Sequence, residues 1–126
     1  MDSKEKKSLS VFIVEDDAFQ IFILEKLIRN LGYDVIGKSS SGEEAVQLAL
    51  RLKPDIIFMD ISLEGEMDGI DASIAIQEKI STKIIYITGN SDDYHRKRAE
   101  KTDYSDYLIK PVTKAIIELS LKKIDS

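Results

Sequence analysis

An α/β domain built on a parallel sheet is the fold class this sequence predicts, on two observations. Short apolar runs at 11–14, 56–59, 84–87 and 107–109 end beside polar residues and lack the alternation of a half-exposed sheet, so they read as strands buried on both faces. The segments between them carry helical spacing, and strict alternation of strand and helix implies right-handed crossovers with helices on both sides of the sheet. A weaker run at 34–38 supplies a fifth strand. The 126 residues make one domain by length.

The first strand, VFIV, stops at three acids, Glu15, Asp16 and Asp17. Asp17 suits a helix N-cap, Gln20 three residues on completes the capping-box spacing, and Gly32 after Leu31 supplies the stop. At 100° per residue Gln20, Leu24, Leu27, Ile28 and Leu31 share the face expected to pack on the sheet, flanked by Ile21 and Ile23. Phe22 falls on the far side among Glu25, Lys26 and Arg29, with Phe19 near its edge, which predicts an exposed aromatic ring. The helix expected over 92–101, DDYHRKRAEK, has only Tyr94 and Ala99 as apolar members, so it buries little and opens cheaply.

Composition narrows the function classes. With 43% apolar and 33% charged residues, and apolar runs far too short to cross a bilayer, the chain reads as a globular domain with no membrane partner. It has no cysteine, which removes disulfides and thiolate metal sites. A polar leader over 1–8 lacks the apolar core of a signal peptide and is expected to be disordered, with the folded domain over 9–126. A cytoplasmic setting is expected. The formal charge of −5 repels nucleic acid on average, so no nucleic-acid partner is expected. The single histidine, His95, excludes a site of several imidazoles and reads as a solvated residue.

Asp17 is accounted for as a cap with no chemistry, but Glu15 and Asp16 are not needed to start the helix. Other strands also end on reactive side chains: Asp60 after the third, Thr88 after the fourth and Lys110 after the fifth. Taken singly these are a turn Asp, a β-branched strand Thr and a Lys-Pro turn. In an open α/β sheet, however, ligands bind outside the carboxyl ends of the strands, so these residues converge. Three carboxylates there repel one another unless a cation sits among them. Oxygen donors without cysteine or a usable histidine point to a hard ion, Mg²⁺ before Ca²⁺. A lysine and a threonine hydroxyl beside it make a cradle for a phosphoryl group.

The motifs VEDD, FMDISLEGEMDG, YITG and DYLIKP, in that order over roughly 9–124, resemble those of the response regulator receiver domain, the phosphoacceptor module of two-component signalling. The resemblance implies a single doubly wound, flavodoxin-like sheet of five parallel strands in the order 2-1-3-4-5, with five helices. It implies that Asp60 accepts the phosphoryl group. Glu15 and Asp16 would hold Mg²⁺ with Asp60, and the backbone carbonyl of Ser62 would be the remaining protein ligand. Thr88 and Lys110 would each meet a phosphoryl oxygen at a solvent-open strand edge, and Gly89 would keep the entrance open. Tyr107 would be an aromatic switch that follows Thr88, although an ordinary half-buried strand tyrosine fits the sequence equally well. A cis Lys110–Pro111 peptide is implied too.

The partner the resemblance implies is a sensor histidine kinase or phosphotransfer protein, docked on the first helix, with a homodimer on activation as a further partner class. The function is then signalling rather than turnover of a substrate, with the fourth helix and fifth strand re-posed on phosphorylation. The chain departs from the family in two places. One extra residue separates Asp60 from Met67-Asp68-Gly69, with Glu64 and Glu66 in the longer loop and no proline. Asp103-Tyr104 also stands where Gly-Ala is common. A phosphohydrolase of the haloacid-dehalogenase type would need Asp-x-Asp, and the chain reads Asp60-Ile61-Ser62. A flavin mononucleotide protein on this fold would not place acids at the phosphate site.

Overall fold

The computed structural model describes residues 8–89 and 92–125. The leader expected over 1–8 lies outside them except for Ser8, whose hydroxyl donates to the Gly32 carbonyl (3.0 Å). The elements are β1 Ser10–Val14, α1 Ala18–Asn30, β2 Asp34–Ser39, α2 Gly42–Leu52, β3 Ile56–Asp60, α3 Gly69–Gln77, β4 Lys83–Thr88, α4 Asp93–Ala99, β5 Tyr104–Ile109 and α5 Lys114–Asp125. The five strands are parallel and ordered β2-β1-β3-β4-β5, as expected.

Successive residues of a strand point to opposite faces, and here both faces are apolar. Val11, Ile13, Ile56, Phe58, Ile85 and Ile87 meet Leu24 and Ile28 of α1 and Ile117 and Leu121 of α5. Phe12, Val14, Ile57, Met59, Ile84 and Tyr86 meet Ala45 and Ala49 of α2, Ile70, Ala72 and Ile76 of α3, and Ala99 of α4. Burial on both faces is why the central strands read as continuous apolar runs.

Helix α1 ends in a Schellman turn: Gly32 N–H donates to Arg29 O (3.0 Å), and Tyr33 N–H to Ile28 O (3.3 Å). Gly32 adopts φ +95°, the conformation that favours glycine. The start of α1 differs from expectation. Asp17 Oδ1 accepts from Phe19 N and Gln20 N, but the Asp17 N–H donates to Glu15 Oε2 (3.2 Å), so the reciprocal half of the box goes to Glu15 rather than Gln20. Gln20 is exposed, not packed on the sheet, because its side chain faces an open cleft that it lines with Glu15, Lys110 and Pro111. Phe22 (57% exposed) and Phe19 (66%) both face solvent, as the helical register predicts.

Strand β5 begins at Tyr104, three residues before the apolar run, with a register irregularity between Ile84 and Ile85 of its neighbour. It is an edge strand, and its polar Ser105 and Asp106 hid its first half. Helix α4 is only seven residues long, shorter than expected, capped by Asp92 and burying only Ala99.

Candidate functional site

The carboxyl ends of β1, β3, β4 and β5 bring Glu15, Asp16, Asp60, Thr88 and Lys110 to one edge of the sheet. Glu15 and Asp60 are each 4% exposed, Thr88 is 1% exposed, and Asp16 faces solvent. Carboxylate oxygens of Glu15, Asp16 and Asp60 all lie within 4.8 Å of one another. Three hard oxygen donors at that separation fit a divalent cation.

Lys110 Nζ donates to Glu15 Oε1 (3.0 Å) and lies 3.6 Å from Asp60 Oδ2. On the other side Ser62 N–H donates to Asp60 Oδ1 (3.1 Å). Asp60 is thus aimed by a backbone amide at one oxygen and a cation near the other, with the Glu15 and Asp16 carboxylates close by. Burial pushes the Glu15 carboxyl up to about 7; the hydrogen bond from Lys110 opposes the rise and the charge of Asp60 adds to it. Burial lowers Lys110 while Glu15 and Asp60 raise it, and the carboxylates prevail. A cation among these acids would relieve the same repulsion.

The solvent-open edge expected for Thr88 is not what the structure shows: Thr88 lies inside, and its carbonyl accepts from Lys110 N (2.8 Å), continuing the ladder to the site. Lys110 is part-buried, and the peptide it forms with Pro111 is cis. A side chain at Gly89 would meet nothing within 4 Å, in keeping with an open entrance.

The loop from Asp60 to α3 is held at both ends. Gly69 N–H donates to Ile61 O (2.9 Å), and a Cβ at Gly69 would collide with the Asp60 carbonyl oxygen. Leu63 turns inward while Ser62, Glu64 and Glu66 face solvent, and Gly65 at φ +105° makes the reversal the longer loop needs. Asp68 and Asp71 form a complete capping box on α3.

Tyr107 is half-buried in β5. Its ring lies 6.0 Å from Tyr86 and 6.1 Å from Tyr104 between centroids, and the Arg96 guanidinium sits 4.4 Å above it. Two arginines of α4 make contacts that the sequence reading missed. Arg96 covers Tyr107, and Arg98 pairs with both acids of the α3 capping box. The Asp68-x-x-Asp71 spacing was a readable cap signal, but nothing in HRKR distinguishes a half-buried fork from a solvated one. A cleft beside the site is lined by Glu15, Gln20, Leu24, Ile87, Lys110 and Pro111.

The family model for the response regulator receiver domain matches residues 11–122. The chain is 36% identical over 115 residues to the chemotaxis protein CheY of Thermotoga maritima, covering 90% of this chain and 95% of that one. It is 37% identical over 101 residues to the transcriptional regulatory protein PdtaR of Mycobacterium tuberculosis, where the match covers 80% of this chain and the chain spans about half (49%) of that protein's length. Among solved structures it superposes on the receiver domain of sensor histidine kinase PA1611 from Pseudomonas aeruginosa, a structure with a magnesium ion coordinated in its active-site cleft. There the TM-score is 0.82 at 29% identity, covering 95% of this chain and all of that one.

Proposed function

This chain belongs to the response regulator receiver domain family, and from that premise we propose that it signals by reversible phosphorylation of Asp60. The observation that carries the proposal is the geometry around Asp60, whose carboxylate is aimed by Ser62 N–H and Lys110 beside two further carboxylates. The donor is a phosphohistidine of a sensor kinase or phosphotransfer protein. An Asp60 carboxylate oxygen attacks phosphorus, the N–P bond breaks, and the histidine leaves as the imidazole, taking up a proton. The product is an aspartyl phosphate.

Glu15, Asp16, Asp60 and the Ser62 carbonyl are the groups that would hold Mg²⁺. When bound, Mg²⁺ neutralises charge on the transferring phosphoryl group. Lys110 offsets the charge gained on phosphorylation, and the Thr88 hydroxyl meets a phosphoryl oxygen, a move that Tyr107 follows. Phe22 and Phe19 on α1 offer the kinase an aromatic anchor next to the site. Among the described residues no helix is long and apolar enough to cross a membrane.

The test is intact mass after incubation with acetyl phosphate. One phosphate should appear with Mg²⁺, be absent in EDTA and be absent in Asp60→Asn. A mass gain that survives either control overturns the assignment.

A further inference from the structure

Helix α4 is poorly supplied with apolar contacts, and what holds it is largely ionic. Arg98 Nη1 donates to Asp68 Oδ2 (2.6 Å), and its Nη2 donates to Asp68 Oδ1 (3.2 Å) and to Asp71 Oδ1 (2.8 Å). One guanidinium therefore bridges both carboxylates of the α3 capping box, in the fork geometry that lysine cannot reproduce. The arginine and Asp68 side chains are 21% and 24% exposed and that of Asp71 is 43% exposed, so the contact is half-buried, more so on its Asp68 side. Next to it, Ala99 is fully buried, and Thr102 bonds the Tyr86 hydroxyl (2.9 Å) and the Ala99 carbonyl (2.6 Å).

Asp68 is not a remote anchor. It immediately precedes Gly69, which packs against the Asp60 carbonyl and donates to Ile61 O. Met67, just before it, packs its carbonyl on Gly42 of α2, where a Cβ would stand 2.6 Å away. Asp68 thus lies between two close backbone contacts, Met67 on Gly42 and Gly69 on Asp60, on the covalent path from the loop to the guanidinium it holds. On the far side, two residues before Arg98, Arg96 lies over Tyr107.

We propose that Arg98 is a positioning residue that mechanically couples the loop after Asp60 to helix α4, through the paired acids Asp68 and Asp71. The coupling of loop to helix is a property of the chain itself; its use in signalling rests on the phosphoacceptor reading given above. Coupling between two sites is reciprocal, so releasing Arg98 must disturb the loop as well as the helix.

The experiment is residue-resolved hydrogen exchange on the full chain with Arg98→Ala and Arg98→Lys. Without any phosphodonor, Arg98→Ala should speed exchange about tenfold at the Ser62 and Gly69 amides as well as along 93–99, with α1 and β1 unchanged. Arg98→Lys, which keeps the charge but loses the fork, should fall between. Acceleration confined to 93–99 would show a local anchor with no coupling, and uniform acceleration would show a purely structural role; either overturns the proposal. With acetyl phosphate and Mg²⁺, the wild type should change its exchange over 93–99 on labelling, and Arg98→Ala should take the label while losing most of that change. An equal change in both proteins overturns the signalling use of Arg98. If the wild type takes no label, the phosphoacceptor reading fails, and the measurement without donor still decides the coupling.

Discussion

Thr88 carries two roles that the sequence keeps apart: it is the last residue of β4 and part of the interior. A residue at a solvent-open edge could lose its hydroxyl with little effect on folding. At 1% exposure the substitution instead removes a methyl and a buried polar group. Thr88→Ala should therefore destabilise the domain by about 1–2 kcal/mol in urea denaturation, with Thr88→Ser costing less than half as much. An unchanged midpoint for Thr88→Ala would mean that the site relaxes around the loss. Glu15 shows the same kind of dual use. Its Oε1 accepts from Lys110 and its Oε2 accepts from Asp17 N–H, so one buried carboxylate ties the start of α1 to the end of β5.

At the scale of elements, α1 and the α3–α4 pair carry separate predictions. The inner face of α1 is fixed by Leu24 and Ile28, which leaves Phe22 outward with Lys26 Nζ 5.4 Å above its ring. Phe22→Ala should leave folding and acetyl-phosphate labelling intact. It should weaken transfer from a partner kinase by about 1–2 kcal/mol, read as the concentration dependence of phosphotransfer. Transfer that is unimpaired would place the kinase elsewhere. At the α3 cap, burial pushes the Asp68 carboxyl up, but the Arg98 guanidinium and the Asp71 amide outweigh it and hold the carboxyl below its ordinary value. The folded state therefore binds that proton less readily than the unfolded chain. Its contribution to stability is complete above the unfolded pKa and is lost as pH falls through the folded one. Denaturation between about pH 5 and pH 2 should show that loss, and Asp68→Asn should flatten it. A pH profile unchanged in Asp68→Asn would show that the ion pair adds nothing.

For the whole molecule, the acidic cluster sets a conflict between fold and site. Two nearly buried carboxylates and a third exposed one share a small volume in a chain of net charge −5. Such an arrangement loses stability to repulsion and regains it when a dication binds only the folded form. At free Mg²⁺ about tenfold above its Kd, linkage should add about 1.4 kcal/mol, visible as a rise of a few degrees in Tm over EDTA. Glu15→Gln combined with Asp16→Asn should abolish that rise. A full Mg²⁺ response in the double variant would mean that the ion sits elsewhere.

The sheet was legible because it is buried on both faces: runs such as Val11 to Val14 admit no polar residue, and burial of that kind depends on composition and period alone. The convergence of the candidate site residues was legible for a related reason. Glu15, Asp16, Asp60, Thr88 and Lys110 each end or follow a strand, and parallel strands deliver their carboxyl ends to one edge whatever the loops do. The outward ring of Phe22 followed from helical period. Other features depended on what stands opposite a residue in space, which no local pattern encodes. Gln20 has the right helical phase for burial, yet it faces the cleft it shares with Glu15, Lys110 and Pro111 rather than the sheet. Asp17 completes its cap with Glu15 instead of Gln20 because the strand end brings that carboxylate within reach of its amide. Arg98 sits in a run of charges that would suit open solvent, and only the approach of α3 makes it a half-buried fork across Asp68 and Asp71, residues 30 and 27 positions earlier in the chain. Period and composition thus determined the sheet and the site edge, while tertiary packing alone decided which charges are shielded and whose hydrogen bonds they complete.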